Sequence, residues 1–102
     1  MRIVEISDTA KDDLRNIWEY VAQYNPESAN KLIKDITKKF SLLRDYPLMG
    51  KTQDALLINL RSFAFKDYLI FYQPIDGGVE ILRVLHGSRD IESIFEIFFD
   101  SL

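Results

Sequence analysis

The sequence predicts an α+β domain in two layers. Its order is β-α-α-β-β-β: a helix hairpin packed on a mainly antiparallel four-stranded sheet, followed by a short C-terminal helix. Three observations carry this. Two apolar stripes at helical spacing lie in the first half, separated by Asn25-Pro26. Three β-branched and aromatic runs follow in the second half, joined by tight polar turns. One short β-branched run precedes the helices and must join the same sheet.

Arg2 to Ile6 alternates polar and apolar residues and reads as the first strand. Ser7 and Thr9 are both candidate N-caps, with Asp8, Asp12 and Asp13 near the positive end of the helix dipole. Ala10, Leu14, Ile17, Trp18, Val21 and Ala22 form one helical face, and Trp18 is expected in the core. The helix should end near Tyr24. Asn25 disfavours continuation before a proline and caps the next helix, with Pro26 at its first position. Ala29, Leu32, Ile33, Ile36, Phe40 and Leu43 form the second stripe. Lys31, Lys34, Lys38 and Lys39 lie off that stripe and read as a solvated basic face, with attraction for an anionic partner as the alternative. The short connection makes the helices an antiparallel pair.

Pro47 ends the second helix, and Tyr46 to Lys51 reads as a turn. Leu60–Phe65 is the second strand. Tyr68–Tyr72 is almost wholly aromatic or branched, which predicts a central strand covered on both faces. Asp76-Gly77-Gly78 is a hairpin signal before Val79–His86. Gly87 to Asp90 breaks that strand, and Ile91, Ile94, Phe95, Phe98 and Leu102 return to helical spacing.

Composition narrows the function. The 102 residues make one domain over 1–102, with no internal repeat or linker. There is no cysteine and a single histidine, which excludes zinc-finger, iron–sulfur and disulfide-redox readings; no metal or cofactor is expected. No apolar run approaches membrane-span length and no signal-peptide pattern is present, so a cytoplasmic protein with no membrane partner is expected. The net charge of −3 is unevenly placed: residues 90–102 carry four acidic and no basic side chains, so the rest of the chain is slightly cationic. That acidic tail is also rich in phenylalanine, and its Phe95, Phe98 and Phe99 are candidate contact residues, on the body, a second copy or a partner.

Several short motifs, in order, resemble one family. They are Asp13-Leu14-x-x-Ile17-Trp18-x-Tyr20-Val21-Ala22 with Asn25-Pro26, Tyr46-Pro47-x-x-Gly50, Leu60-Arg61-Ser62-Phe63, Tyr68–Tyr72, and Glu80 to Asp90 with His86-Gly87 inside it. Together, from about Ile6 to Phe95, they resemble the ParE branch of the RelE/ParE toxin superfamily of bacterial type II toxin–antitoxin, or plasmid stabilisation, modules. Lys66-Asp67 stands where relatives often carry a glycine and a basic residue. The resemblance implies the same β-α-α-β-β-β fold. It also implies a toxin that inhibits DNA gyrase, is not an enzyme, and is neutralised by a ParD-like antitoxin. Direct nucleic-acid binding is not expected; both a homodimer and a toxin–antitoxin hetero-oligomer are compatible with it.

Two alternatives stand beside this. One is a RelE-like, ribosome-dependent, metal-independent mRNA endoribonuclease. It would use His86 as acid or base, with Arg83 and Arg61 at the phosphate and Arg89 as a further candidate cation there. The other is a non-toxic homologue that only binds an antitoxin. Under the binding reading, Arg61, Arg83, His86 and Arg89 are contact residues, with Arg61 and Arg83 as a small basic patch. Their bland alternatives are ion pairs with Glu80 or Asp90, and a histidine that ties down a strand end.

Overall fold

A computed structural model describes the backbone of residues 2–100 and the side chains of residues 2–96. The elements are β1 (Ile3–Ile6), α1 (Asp8–Ala22), α2 (Pro26–Asp45), β2 (Lys51–Thr52), β3 (Arg61–Phe65), β4 (Tyr68–Ile75), β5 (Gly78–His86) and α3 (Ile91–Asp100). The predicted order holds. The sheet, however, has five strands in the order β1-β5-β4-β3-β2, where four were expected. The added strand is the two-residue β2 on Lys51 and Thr52, at the end of the segment read as a turn. Two residues carry no periodicity, so only their pairing with Ser62 and Arg61 reveals them. The sheet is mixed: β1 runs parallel to β5, and the other pairs are antiparallel.

Ser7 caps α1, and Thr9 does not. The Ser7 Oγ accepts from the Ala10 N–H at 3.0 Å and donates to the Leu82 carbonyl at 2.9 Å. The same residue therefore starts the helix and ties it to β5. Asn25 caps α2 by accepting from the Ser28 N–H at 3.1 Å, with Pro26 in the first helical turn.

The two helices cover one face of the sheet. Ala10, Ile36, Phe40 and Leu43 meet Ile70, Tyr72, Val79, Ile81 and Val84 there. Each of the larger aliphatic or aromatic side chains among them contributes about 1.5–3 kcal/mol by burial. The other face carries a second core of Leu60, Phe71, Leu82 and Leu85, closed by Phe95 from α3. Thus β4 is central, with Ile70 and Tyr72 in one core and Phe71 in the other. The C-terminal helix adds a partial third layer.

Trp18 corrects its expected place. It is surface-exposed, and its indole N–H donates to the Asn30 Oδ1 at 2.7 Å, bridging α1 to α2. A second irregularity sets up the site. The β4–β5 register pairs Phe71 with Arg83 and Tyr72 with Ile81, so Leu82 is an extra residue. This bulge lets Ile81 and Val84, three residues apart, share the helix-side core, while Leu82 and Leu85 share the other.

Candidate functional site

The bulge leaves a polar problem that α1 solves. Past the end of β1, the Val84 N–H donates to the Asp13 Oδ2 at 2.9 Å. The Arg83 guanidinium meets the same carboxylate through Nε at 2.8 Å and Nη2 at 2.9 Å. Asp13 is buried and holds three donors at once. Its role is therefore not with the helix dipole, where the sequence placed it; Asp8 is the acid of the first turn. Arg83 pairs with neither Glu80 nor Asp90, the two partners named for it from sequence.

Arg61 and Arg83 are held by different partners. They sit on β3 and β5 with β4 between them. Arg61 Nη1 donates to the Leu48 carbonyl at 3.0 Å and the Gly50 carbonyl at 2.7 Å. It braces the turn between α2 and β2.

His86 ends β5 and is exposed. Its Nδ1 lies 3.1 Å from the Ser88 backbone nitrogen and 2.7 Å from the Ser88 Oγ. The Ser88 N–H donates, so Nδ1 acts as an acceptor in this arrangement. The ring meets Tyr68 edge-on, with centroids 5.5 Å apart at 82°. Next to it opens a cleft of about 470 Å³ between α1 and the end of the β4–β5 pair. Its walls include Asn16, Tyr20, Tyr68, His86 and Arg89, with the Asp13 bracket beneath. Burial pushes the Tyr68 phenol up from its ordinary value, with the nearby Asp67 charge and Tyr20 adding to it. The cleft is thus aromatic, neutral at Tyr68, and edged by the exposed Arg89.

Of the residues singled out from sequence, the structure brings His86 and Arg89 together and engages Arg61 and Arg83 elsewhere. Phe95 is buried, its ring 4.9 Å from that of Phe71 at 64°. Phe98 and Phe99 lie outside the described side chains. Sequence reasoning missed Asp13, Tyr20 and Tyr68 as neighbours of His86. Position 13 falls within the Ala10–Leu14–Ile17 stripe, and a carboxylate on a buried stripe demands a cationic or N–H partner. That signal was legible.

A basic surface lies on the C-terminal half of α2. Lys39 and Lys66 both sit over the Phe65 ring, at 5.2 and 5.5 Å from its centroid. Lys66 adopts a left-handed φ of 53° in the β3–β4 turn, a backbone conformation that favours glycine. The Asp35 carboxyl is held below the usual range, first by its hydrogen bond from Lys31 and further by Lys66 and Lys38.

The helix hairpin packed on a mixed five-stranded sheet fits the RelE/ParE toxin superfamily, to which the similarities to known proteins assign the chain. Residues 4–91 match the family model described as the ParE toxin of type II toxin-antitoxin system, parDE. The chain belongs to that ParE toxin family. Toxin ParE1 of Caulobacter vibrioides is 32% identical over 91 residues, covering 88% of this chain and 94% of that protein. Toxin RelE2 of the same organism is 31% identical over 77 residues, covering 76% of this chain and 85% of that protein. A solved structure described as the chromosomal ParDE TA system from P. aeruginosa shares the fold. Its TM-score is 0.71 at 21% identity, covering 84% of this chain and 96% of that one. Among the described residues no helix is long and apolar enough to cross a membrane.

Proposed function

We propose that this ParE-type toxin acts by binding, not by cutting. It inhibits DNA gyrase in the cytoplasm and is neutralised by a ParD-like antitoxin. The observation that carries this reading is the engagement of two of the three candidate cations, Arg83 and Arg61. Arg83 has Nε and Nη2 on Asp13, and Arg61 has Nη1 on two backbone carbonyls. Phosphodiester cleavage needs cations poised where charge develops on the phosphate, and these two already serve the fold. The His86 cleft, with Tyr20, Tyr68 and Arg89, suits an apolar antitoxin segment carrying an acid for Arg89. The likeness to a structure described as a ParDE system supports an antitoxin partner.

The test compares two targets. Purified toxin is added to a gyrase supercoiling assay, and transcript ends are mapped after induction in cells. Inhibited supercoiling with intact transcripts is expected, and His86→Ala should keep its toxicity. Cleaved transcripts that become whole in His86→Ala, with supercoiling untouched, would overturn the reading. That result would favour the endoribonuclease, for which the exposed His86 beside Tyr20, Tyr68 and Arg89 and the likeness to Toxin RelE2 are the supporting observations.

A further inference from the structure

Lysines gather on the helix layer without carboxylates to match them. Lys34, Lys38 and Lys39 stand in the middle of α2, and the β3–β4 turn brings Lys66 beside Lys39. Lys34, Lys38 and Lys66 are exposed, and Lys39 is half-buried. Among the described residues none of these four pairs with a carboxylate. The outer face of α1 differs. There Asp8 lies 4.0 Å from Lys11 and Asp12 2.7 Å from Arg15, the mixed signs of a solvated helix. The helix dipole does not call for the α2 lysines either. It favours cations only in the last turn, where Arg44 stands.

Lys66 sits in the cluster against a conformational cost. Its φ of 53° is strained for a side chain and favours glycine. Its ammonium lies 5.5 Å from the Phe65 ring centroid, and that of Lys39 lies 5.2 Å from the same point. Like charges held this close repel, and an anion between them removes that cost. The acids beside the cluster are Asp35 and Asp67. Asp35 is held by Lys31 at 2.8 Å, and Asp67 follows Lys66 in the turn. With Lys31 included, five lysines face two acids. The acidic α3 closes the opposite face of the sheet and does not cancel this charge.

Charge spacing selects the ligand. Lys34 to Lys39 spans about 7.5 Å of helix, at about 1.5 Å per residue. Duplex DNA carries a charge per about 1.7 Å, so about four phosphates fall on that length. An extended acidic peptide repeats a carboxylate on one face only every 6.6 Å or about that. Lysine also meets phosphate as a point charge, whereas arginine, absent from the cluster, is the better match for a carboxylate fork. Single-stranded nucleic acid needs rings on which its bases stack, and Phe65 is half-buried under two ammonium groups. We propose that Lys34, Lys38, Lys39 and Lys66 bind the phosphate backbone of duplex DNA without regard to sequence. This departs from the expectation that the chain does not touch nucleic acid directly, and the local charge is the reason. The net charge of −3 owes four of its acids to residues 90–102. The contact keeps the toxin on DNA, where a DNA-bound target works. That use rests on the gyrase reading; the contact itself does not.

The test is fluorescence anisotropy of the purified full chain with a labelled, mixed-sequence DNA duplex, between about 50 and 200 mM salt. Log affinity should fall against log salt with a slope of about −3 to −4, as four phosphate contacts require. Lys34→Gln with Lys38→Gln should weaken binding about tenfold or more at the low-salt end and flatten the slope by about two. Asp35→Asn should tighten binding. Lys66→Gly should weaken binding yet melt no lower than the parent, because glycine suits the left-handed turn. A lower melting temperature with unchanged affinity in Lys66→Gly would instead mark a packing role and count against the proposal. Absence of duplex binding at low salt overturns it, as does a folded double variant with the parent's affinity and slope. Tighter binding of single-stranded RNA or of polyglutamate than of the duplex overturns it in favour of that partner. No arm contains gyrase, so failure of the gyrase reading leaves these results standing.

Discussion

Asp13→Ala is the most informative single change in this protein. It removes the carboxylate that holds the Arg83 guanidinium at 2.8 and 2.9 Å and the Val84 N–H at 2.9 Å. The methyl group replaces none of these bonds. Arg83 is left as an uncompensated charge whose side chain is 15% exposed. Removing one member of a buried pair costs about 3–5 kcal/mol, and the small exposure of both partners places this case near about 3. For a domain of this size about 1 kcal/mol moves the midpoint by about 4–8 °C. Asp13→Ala should therefore melt about 12–24 °C lower. Asp13→Asn keeps one acceptor and should lose about half as much. Replacing both partners by apolar residues of similar shape, Asp13→Leu with Arg83→Met, should recover most of the loss, because no charge is then buried alone. The assay is thermal and urea unfolding followed by circular dichroism. A midpoint for Asp13→Ala within about 4 °C of the parent, under about 1 kcal/mol, would refute the bracket. Arg83 would then be available for contact or catalysis, and the argument for a binding toxin would lose its main support.

Other outcomes follow from the same structure. Phe95→Ala should destabilise by about 3–5 kcal/mol, since it empties the second core against Phe71; urea unfolding reads this, and a change under about 1 kcal/mol would mean that α3 does not close that core. Gly50→Ala should cost about 1–3 kcal/mol and weaken the bond that the Gly50 N–H donates to the Tyr72 hydroxyl at 2.8 Å, because its Cβ would meet the phenol at 2.5 Å; an unchanged melting temperature would contradict that closeness. Burial raises the Tyr72 phenol above 10.0, with the Gly50 N–H bond and Arg61 acting against it, and raises Tyr68 as well. Both folded values lie above the unfolded one, so this contribution to stability is intact below about pH 10 and is lost as pH rises further. Melting measured from pH 8 to 11 should fall only above pH 10, with Tyr72→Phe showing a shallower fall. A steeper fall in Tyr72→Phe would reverse the sign of the argument.

The sequence by itself determined the elements and their order, because the signals for them are local. Ser7 reaches Ala10, Asn25 reaches Ser28, and Pro26 needs only its own ring geometry. The apolar stripes of α1 and α2 repeat within one or two turns, and Asp76-Gly77 turns the chain between adjacent strands, with Gly77 at a φ of 82°. The family motifs were legible for the same reason, as short runs in a fixed order. The five-stranded sheet was not, since β2 is a strand only because Ser62 and Arg61 pair with it. Trp18 shows the limit of periodicity: its angle on α1 suits a core residue, but α2 presents Asn30 there instead of an apolar surface. The site itself was decided by tertiary structure. Asp13 and Arg83 are 70 residues apart, and Tyr72 meets Pro47 across 25. Whether an arginine is a free cation or a brace depends on which carboxylate or carbonyl the fold brings to it. No local pattern carries that information, because the bonds form only after the sheet register and its bulge at Leu82 have set the distances.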